Sequence, residues 1–421
     1  MADRKDTAKR WLLQKENELR IETKEQISVK VVRGGGEVFG TELVANKVYT
    51  FEDSKFAVFT WHGCEVEVSG KCEHAYISEE TPMITYINTH AALNKMRHDA
   101  KTRGKSDGPV VMIAGPKDSG KSTLARILLS YAVRTKWSPT FVDLDVGQNE
   151  ITTPGCIAAC PVDQPIGIDS AWKNRAPVVY YYGHSSPAQN KEIYKRLCGK
   201  LAETIQKRNV RNIEARHSGV IINTCGWIDE GGREVLHHIA KEFKVEVILV
   251  VGHEKLVNDL KSSPELKQLG TTVVKLNTSG GVVSRNSKQR NALRANKIRQ
   301  YFYGRNKDLS PHEKVIPFGE VIVYRVGGGV RAPTSALPIG AKPLLDPNRC
   351  VKISITSALT HSVLAVSYAK KADELLDVNI AGLIFVKEVD MKKQQMVLLA
   401  PSAGNLPHRF LLFGSLKWFD S

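Results

Sequence analysis

Gly115-Pro-Lys-Asp-Ser-Gly-Lys121-Ser122 has the spacing G-x-x-x-x-G-K-[ST], and Thr123 follows it. Glycines at those positions let a loop curl until successive backbone N–H groups face one set of phosphate oxygens, backed by a helix N-terminus. Lys117, Asp118, Ser119 and Gly120 complete the cradle. Lys121 is then placed to bridge β- and γ-phosphates, and the Ser122 hydroxyl to ligate magnesium. Further on, Asp143 and Asp145 stand two apart in Thr140-Phe-Val-Asp-Leu-Asp145. On a strand that spacing puts both on one face. One carboxylate could hold a magnesium shell while the other takes the proton of an attacking hydroxyl. A capping or salt-bridged pair in a turn would have the same spacing. A third group lies between Ser284 and Arg305, where Arg285, Lys288, Arg290, Arg294, Lys297, Arg299 and Arg305 occur with no acidic residue, just after Gly280-Gly281. An arginine swung over a γ-phosphate stabilises the charge that spreads during phosphoryl transfer. A solvated helix face has the same composition.

Elements of two textures must position these groups. The apolar run Val110 to Ala114 precedes the glycine-rich loop, and Ser122 onward reads as a helix with Leu124, Ile127, Leu128 and Tyr131 on one side. That is the strand–loop–helix a phosphate cradle requires. Further strands are expected at Thr140 to Val146, Val178 to Tyr182, Gly219 to Asn223, Val245 to Val251 and Thr272 to Leu276. Helices are expected at Lys191 to Arg208, Gly232 to Phe243 and Glu254 to Leu260. Strands alternating with helices imply a parallel α/β sheet. On either side the texture is β. Short strands rich in β-branched and aromatic residues run from about Ile27 to Ile77, then a helix over His90 to Lys101 and a polar linker, Thr102 to Gly108. Beyond about Pro311, strands return at Glu320 to Val326, Ser362 to Tyr368, Leu383 to Val389 and Met396 to Leu399. The expected fold is therefore α/β: a central P-loop NTPase domain with a parallel sheet (101–310), a small N-terminal β-domain (1–100) and a C-terminal mainly β domain (311–421).

The composition of the 421 residues agrees with several packed domains, with 42% hydrophobic and 25% charged residues. The net charge of +16 favours polyanionic partners, although a basic enzyme of small molecules would share it. Met1 to Arg10 is charged, without the apolar run of a signal peptide, and no stretch approaches the ~18 apolar residues of a membrane span. Seven scattered cysteines, with no CxxC and no zinc spacing, read as reduced thiols of an intracellular protein.

Several segments carry a resemblance that reaches beyond these patterns. Phe39-Gly-Thr-Glu-Leu43, Phe59-Thr-Trp61, the glycine-rich loop, Leu144-Asp-Val-Gly-Gln148, Ile222-Asn-Thr-Cys-Gly-Trp227, Ser279-Gly-Gly-Val-Val283, Tyr301-Phe-Tyr-Gly304 and Leu337-Pro-Ile-Gly340 occur in order. Together they resemble the eukaryotic Clp-type polyribonucleotide 5′-hydroxyl kinases, the kinase subunit of the pre-mRNA cleavage complex. The resemblance implies ATP and Mg2+, RNA with a 5′-hydroxyl end, a nuclear setting, and partners in cleavage factor II and the tRNA-splicing endonuclease. It implies Asp145 as general base and magnesium-shell residue, Arg285 and Arg290 as lid arginines, and Glu18 and Lys55 at the adenine. It places Gln148, His184, Ser185 and Trp227 near the RNA end, Trp227 as a clamp. Read alone, Trp227 suits a core as well as a base platform, and Glu18 suits a solvated surface.

The chain departs from the family pattern at three places. It has Lys117-Asp-Ser119 where Thr-Asp-Val is expected, Glu150 where a serine is usual, and Ser185 where threonine is frequent. A Glu150 carboxylate turned toward incoming phosphates would weaken RNA binding. A different class of function, a nucleotide-bound but catalytically silent scaffold of an RNA-cleavage complex, would not need Lys121, Asp145 and both lid arginines. A guanine-nucleotide switch would need an Asn-Lys-x-Asp motif, which Asn258-Asp-Leu-Lys261 does not supply.

Overall fold

The computed structural model describes residues 8–104, 107–168, 177–328 and 348–419. Leu337 to Gly340 lies outside the described residues. The N-terminal region is a sandwich of a four-stranded and a five-stranded sheet. It starts earlier than its β-branched texture suggests, with strands at Lys9–Leu13 and Glu18–Thr23. Glu18–Thr23 lies between Ser54–Phe59 and His74–Ser78, antiparallel to both. Charged residues alternate with Leu19 and Ile21 along that strand, and only the latter pair enters the sandwich core.

The helix that follows spans Met83–Arg103, longer than its sequence pattern implies. Its inward positions are Met83, Tyr86, His90, Leu93, Arg97 and Ala100, a regular helical stripe. His90 and Arg97 interrupt the apolar signal because both are buried polar members of that stripe. Arg97 donates from Nε to the Ser218 carbonyl at 2.9 Å. The His90 ring meets Tyr131 edge-on at 5.6 Å. Burial, reinforced by the Arg97 and Arg134 charges, pushes the His90 pKa down to about 4. The folded state therefore holds His90 neutral between pH 6.5 and 4, while the unfolded chain binds a proton there. The His90 contribution is complete above pH 6.5 and is lost as pH drops through that window, by about 3 kcal/mol when fully developed. Denaturant unfolding at pH 7.5 and pH 5 should show this loss in the wild type and a smaller one in His90→Phe. Equal losses in both proteins would assign the pH dependence elsewhere.

The central sheet has seven strands in the order Val178–Tyr181, Cys156–Pro161, Thr140–Asp143, Val220–Asn223, Val110–Ala114, Val247–Val251, Thr272–Leu276. The last five are parallel, as expected. The sheet is nevertheless mixed, because Cys156–Pro161 pairs antiparallel to both of its neighbours. Its Cys-Ile-Ala-Ala-Cys-Pro sequence carries little strand signal of its own, and burial on both faces is what fixes it. The strand from Thr140 also stops at Asp143, earlier than the apolar run suggests. Helices cover both faces, among them Lys121–Arg134, Lys191–Arg211 and Glu230–Phe243. Asn190 and Asp229 cap the last two through their side chains.

The C-terminal region is a second seven-stranded sheet, with strands at all four expected places: Ile322–Val326, Val363–Ser367, Ile380–Asp390 and Gln395–Ala400. One apolar core runs from the central sheet into it, through Tyr181, Phe302, Phe385 and Trp418. The Trp418 and Phe302 rings stack at 5.6 Å, and Tyr181 donates its hydroxyl to the Val363 carbonyl at 2.9 Å. The segment after Phe413 crosses to the central domain. The Ser415 N–H donates to the Gly183 carbonyl at 2.8 Å, and Leu416 fills the space a side chain on Gly155 would need. No described helix is long and apolar enough to cross a membrane.

Candidate active site

A cleft of about 960 Å³ opens where the glycine-rich loop, the acidic strand end, the lid helix and the N-terminal sandwich meet. Gly115 has φ +149 and lies so close to Val251 that a Cβ there would sit 2.7 Å from the Val251 carbonyl oxygen. Only glycine allows the loop to leave Val110–Ala114 in this way. Lys121 starts the following helix and is 7% exposed. Its Nζ donates to the Pro116 carbonyl at 2.6 Å, and burial lowers its pKa. Lys117, Asp118, Ser119, Gly120, Ser122 and Thr123 all line the cleft.

The two aspartates do not share a strand face. Asp143 closes the strand, is fully buried, and holds the next turn together. It accepts N–H groups from Asp145 at 3.0 Å and Glu150 at 2.6 Å, and the Asn223 amide at 3.0 Å. Burial, then the neighbouring Asp145 charge, pushes its pKa up to about 8. Asp145 lies past the strand end, in the turn that Asp143 anchors, and lines the cleft. Its Oδ1 accepts from Gly147 N at 2.8 Å and Gln148 N at 3.1 Å. Burial raises its pKa, while those donors and Lys121 oppose the rise. Asp145 is the accessible carboxylate and Asp143 its support.

The lid helix, Ser287–Tyr303, starts with an Asn286–Gln289 capping box. Its inward stripe follows the cleft edge. Arg290 forms a two-pronged ion pair with Asp118 of the glycine-rich loop, and Arg285 N donates to the same carboxylate at 2.9 Å. Burial alone would raise the Asp118 pKa, but these partners hold it below the ordinary range. Arg294 lines the cleft, Lys297 donates to the Glu150 carbonyl at 2.9 Å, and the Tyr301 hydroxyl accepts the Leu383 N–H at 3.0 Å. Arg299 is exposed and bonded to Asn296 of its own helix. Arg285 lines the cleft from the mouth. Gly280 and Gly281 are packed under the Arg20 guanidinium, 3.1 Å from where a Cβ would stand on either.

At the far end, Glu18 is 4% exposed, so it is not a surface charge. Its two oxygens accept from Arg20 Nε at 2.6 Å and the Thr81 hydroxyl at 2.8 Å. Lys55, paired with Glu22, reaches the same wall, beside Phe39, Phe56, Phe59 and Tyr86. Those apolar residues suit a flat base between them.

Gln148, Ser185 and Trp227 line the same cleft. The Trp227 ring rests on Gly231, and a Cβ on Gly232 would stand 2.2 Å from the Trp227 carbonyl oxygen. His184 is different. Its Nδ1 is 2.8 Å from Ser415 Oγ, its ring also bonds the Val326 backbone, and burial lowers its pKa. The ring is thus engaged by the C-terminal domain and is not on the cleft wall, whereas Ser185 next to it is. Glu150 is also off the wall. Its backbone serves Asp143 and Lys297, and its charge acts on Arg126 and Lys297. The Glu150 charge also acts on Asp143 and Asp145, raising both pKa values. Arg20, Phe56 and Tyr86 line the cleft without any motif that signals them, and Phe39 and Phe59 fall in quoted segments that assign them no role.

Three stretches of the chain match described families. Residues 12–100 match the N-terminal beta-sandwich domain of polyadenylation factor, 115–304 the mRNA cleavage and polyadenylation factor CLP1 P-loop, and 309–420 the pre-mRNA cleavage complex II protein Clp1. A Protein CLP1 homolog from Arabidopsis thaliana is 46% identical over 417 residues, 97% of this chain and 94% of that protein. The polyribonucleotide 5′-hydroxyl-kinase Clp1 of Gallus gallus is 39% identical over 422 residues, 99% and 98% of the two chains. Among solved structures, a wild-type Clp1p–Pcf11p complex superposes with a TM-score of 0.82 at 24% identity, covering 99% of each chain, which shows a shared fold. With relatives this similar over nearly its whole length, the chain belongs to the Clp1 family.

Proposed function

We propose that this protein is an ATP-dependent RNA 5′-hydroxyl kinase. The observation that carries the reading is one continuous cleft lined together by the phosphate loop, the aromatic residues beside Glu18 and Lys55, and Gln148, Ser185 and Trp227. The accessible carboxylate, Asp145, lines the same cleft. The name of the Gallus gallus relative supports the same activity.

In this reading the triphosphate lies along the loop from Gly115 to Ser122, and the base enters the slot near Glu18 and Lys55. Trp227 offers a flat face to the terminal base of the RNA, as recognition of unpaired ends requires. Asp145 Oδ1 is occupied by two backbone N–H groups, which leaves Oδ2 to take the proton of the 5′-hydroxyl. The hydroxyl oxygen forms its bond to the γ-phosphorus as the bond to the β–γ bridging oxygen breaks, and that electron pair leaves with ADP. Arg285 and Arg290 neutralise the charge that spreads over the transferring group.

The residues present fit a magnesium ion. The Ser122 hydroxyl and the Asp145 carboxylate are hard oxygen donors on the cleft wall. No group of three or more His, Cys, Asp or Glu able to hold a metal exists among the described residues. When bound, the ion would neutralise phosphate charge. Cleavage factor II, the tRNA-splicing endonuclease and the nucleus are the setting we propose, from the family resemblance. Residues 1–100 would close the nucleotide slot, 101–310 carry the transfer, and 311–421 back the substrate loop.

The test is transfer of labelled γ-phosphate from ATP to a short 5′-hydroxyl RNA. Transfer by the wild type and none by Lys121→Ala is the expected result. Tight ATP binding without transfer to any RNA end would instead establish the scaffold reading.

A further inference from the structure

Val220–Asn223 is the strand between the phosphate-loop strand and the acidic strand, with Asn223 in register with Ile113 on one side and Asp143 on the other. Three buried apolar residues precede it, so its amide ends an otherwise apolar strand, and it is fully buried. A buried primary amide is costly unless its donors and acceptor are met. Its nitrogen is met twice. Nδ2 donates to Asp143 Oδ1 at 3.0 Å and lies 3.3 Å from Ser122 Oγ. In this amide orientation the nitrogen donates to both neighbours, the Asp143 carboxyl and the Ser122 hydroxyl. Asn223 Oδ1 is left buried with no hydrogen-bond partner.

An orphaned acceptor on an amide whose nitrogen already joins a serine hydroxyl to a buried carboxylate has a specific chemical use. Small divalent cations in phosphoryl-transfer sites keep several waters, and each such water is a strong donor seeking a fixed acceptor. We infer that Asn223 is a positioning residue for the divalent cation: its amide nitrogen fixes Ser122 and Asp143 relative to each other, and its Oδ1 accepts from a cation-bound water. The inference rests on the phosphotransferase reading and adds to it a residue that touches neither nucleotide nor RNA. Outer-shell partners of this kind change metal affinity by about 10–100-fold.

The experiment is ATP affinity measured with Mg2+ and again with EDTA, for the wild type and Asn223→Ala, with manganese titration of the ATP-bound proteins as a second readout. The wild type should bind ATP more tightly with the cation. Asn223→Ala should keep its EDTA affinity while the gain from Mg2+, and the Mn2+ affinity, fall about 10-fold or more. An unchanged gain overturns the inference, and so does a parallel loss of affinity in both conditions, which is what a purely structural role would give. If the alanine variant lacks a cooperative melt, Asn223→Ser, which keeps a small polar group in the strand, is read in the same way. A wild type indifferent to Mg2+ would overturn the magnesium assignment with it. A wild type that gains from Mg2+ but transfers no phosphate would leave the Asn223 inference standing and remove the kinase.

Discussion

Asp145→Asn should lower single-turnover transfer by about 10²–10⁴-fold while ATP affinity stays within a few-fold. Asparagine can keep the shape of the turn, because its amide oxygen can accept the Gly147 and Gln148 N–H groups that Oδ1 accepts now. What it cannot do is take a proton. The loss should therefore appear in kcat and leave RNA KM nearly unchanged, the signature of a group needed only as the hydroxyl attacks. Asp143→Asn makes the informative contrast. Asp143 bonds two backbone N–H groups and the Asn223 amide, so its replacement should disturb the fold of the turn and lower thermal stability as well as rate. If Asp145→Asn turned over at the wild-type rate, the base would have to be sought elsewhere.

Arg290→Ala should cost about 10³-fold or more in transfer, within the range found for arginines that stabilise a phosphoryl transition state. The effect has a second source here, because Arg290 is tied by two bonds to Asp118 within the phosphate loop. The guanidinium is thus placed by the loop whose phosphates it would neutralise. Arg290→Lys keeps the charge but loses the fork that grips a carboxylate at two points, so it should recover only a small part of the rate. Asp118→Ala leaves the arginine in place but unguided, and should cost about 10–100-fold. Measured under single turnover with saturating ATP, equal rates for Asp118→Ala and the wild type would show that the pair is a resting contact only.

The legibility of the fold followed the strength of local signals. Val110–Ala114 and Thr272–Leu276 were readable to the residue because each is a short apolar run between clear turns. Cys156–Pro161 was not, since cysteine, alanine and proline say little about strands until neighbours pair with them on both sides. Met83–Arg103 begins before the expected start at His90 because its first turns, with Ile84, Thr85, Tyr86, Ile87 and Thr89, are made of residue types commoner in strands. The glycine-rich loop was legible as chemistry because its spacing is itself the mechanism. The aspartate pair was legible as chemistry but not as geometry, for the strand ends between them. Glu18 could be reached only through family resemblance, as nothing in Glu16-Asn-Glu-Leu-Arg20 announces a buried carboxylate between Arg20 and Thr81. Resemblance also brought His184 to the RNA end, while the ring is engaged by Ser415, a partner 231 residues away that no local reading can see.

That long-range contact bears on how the protein is made. A ribosome that has reached residue 413 has already synthesised the phosphate loop, Asp145, Trp227 and the lid. It has not yet supplied Ser415 for His184, Leu416 for the space beside Gly155, or Trp418 for the Phe302 ring at the end of the lid helix. Domains of a growing chain fold as units in order of synthesis, at about 5–20 residues per second. The nucleotide slot can therefore form well before the loop that would receive RNA has its backing, so a nascent chain has the parts to bind ATP before its RNA end is finished.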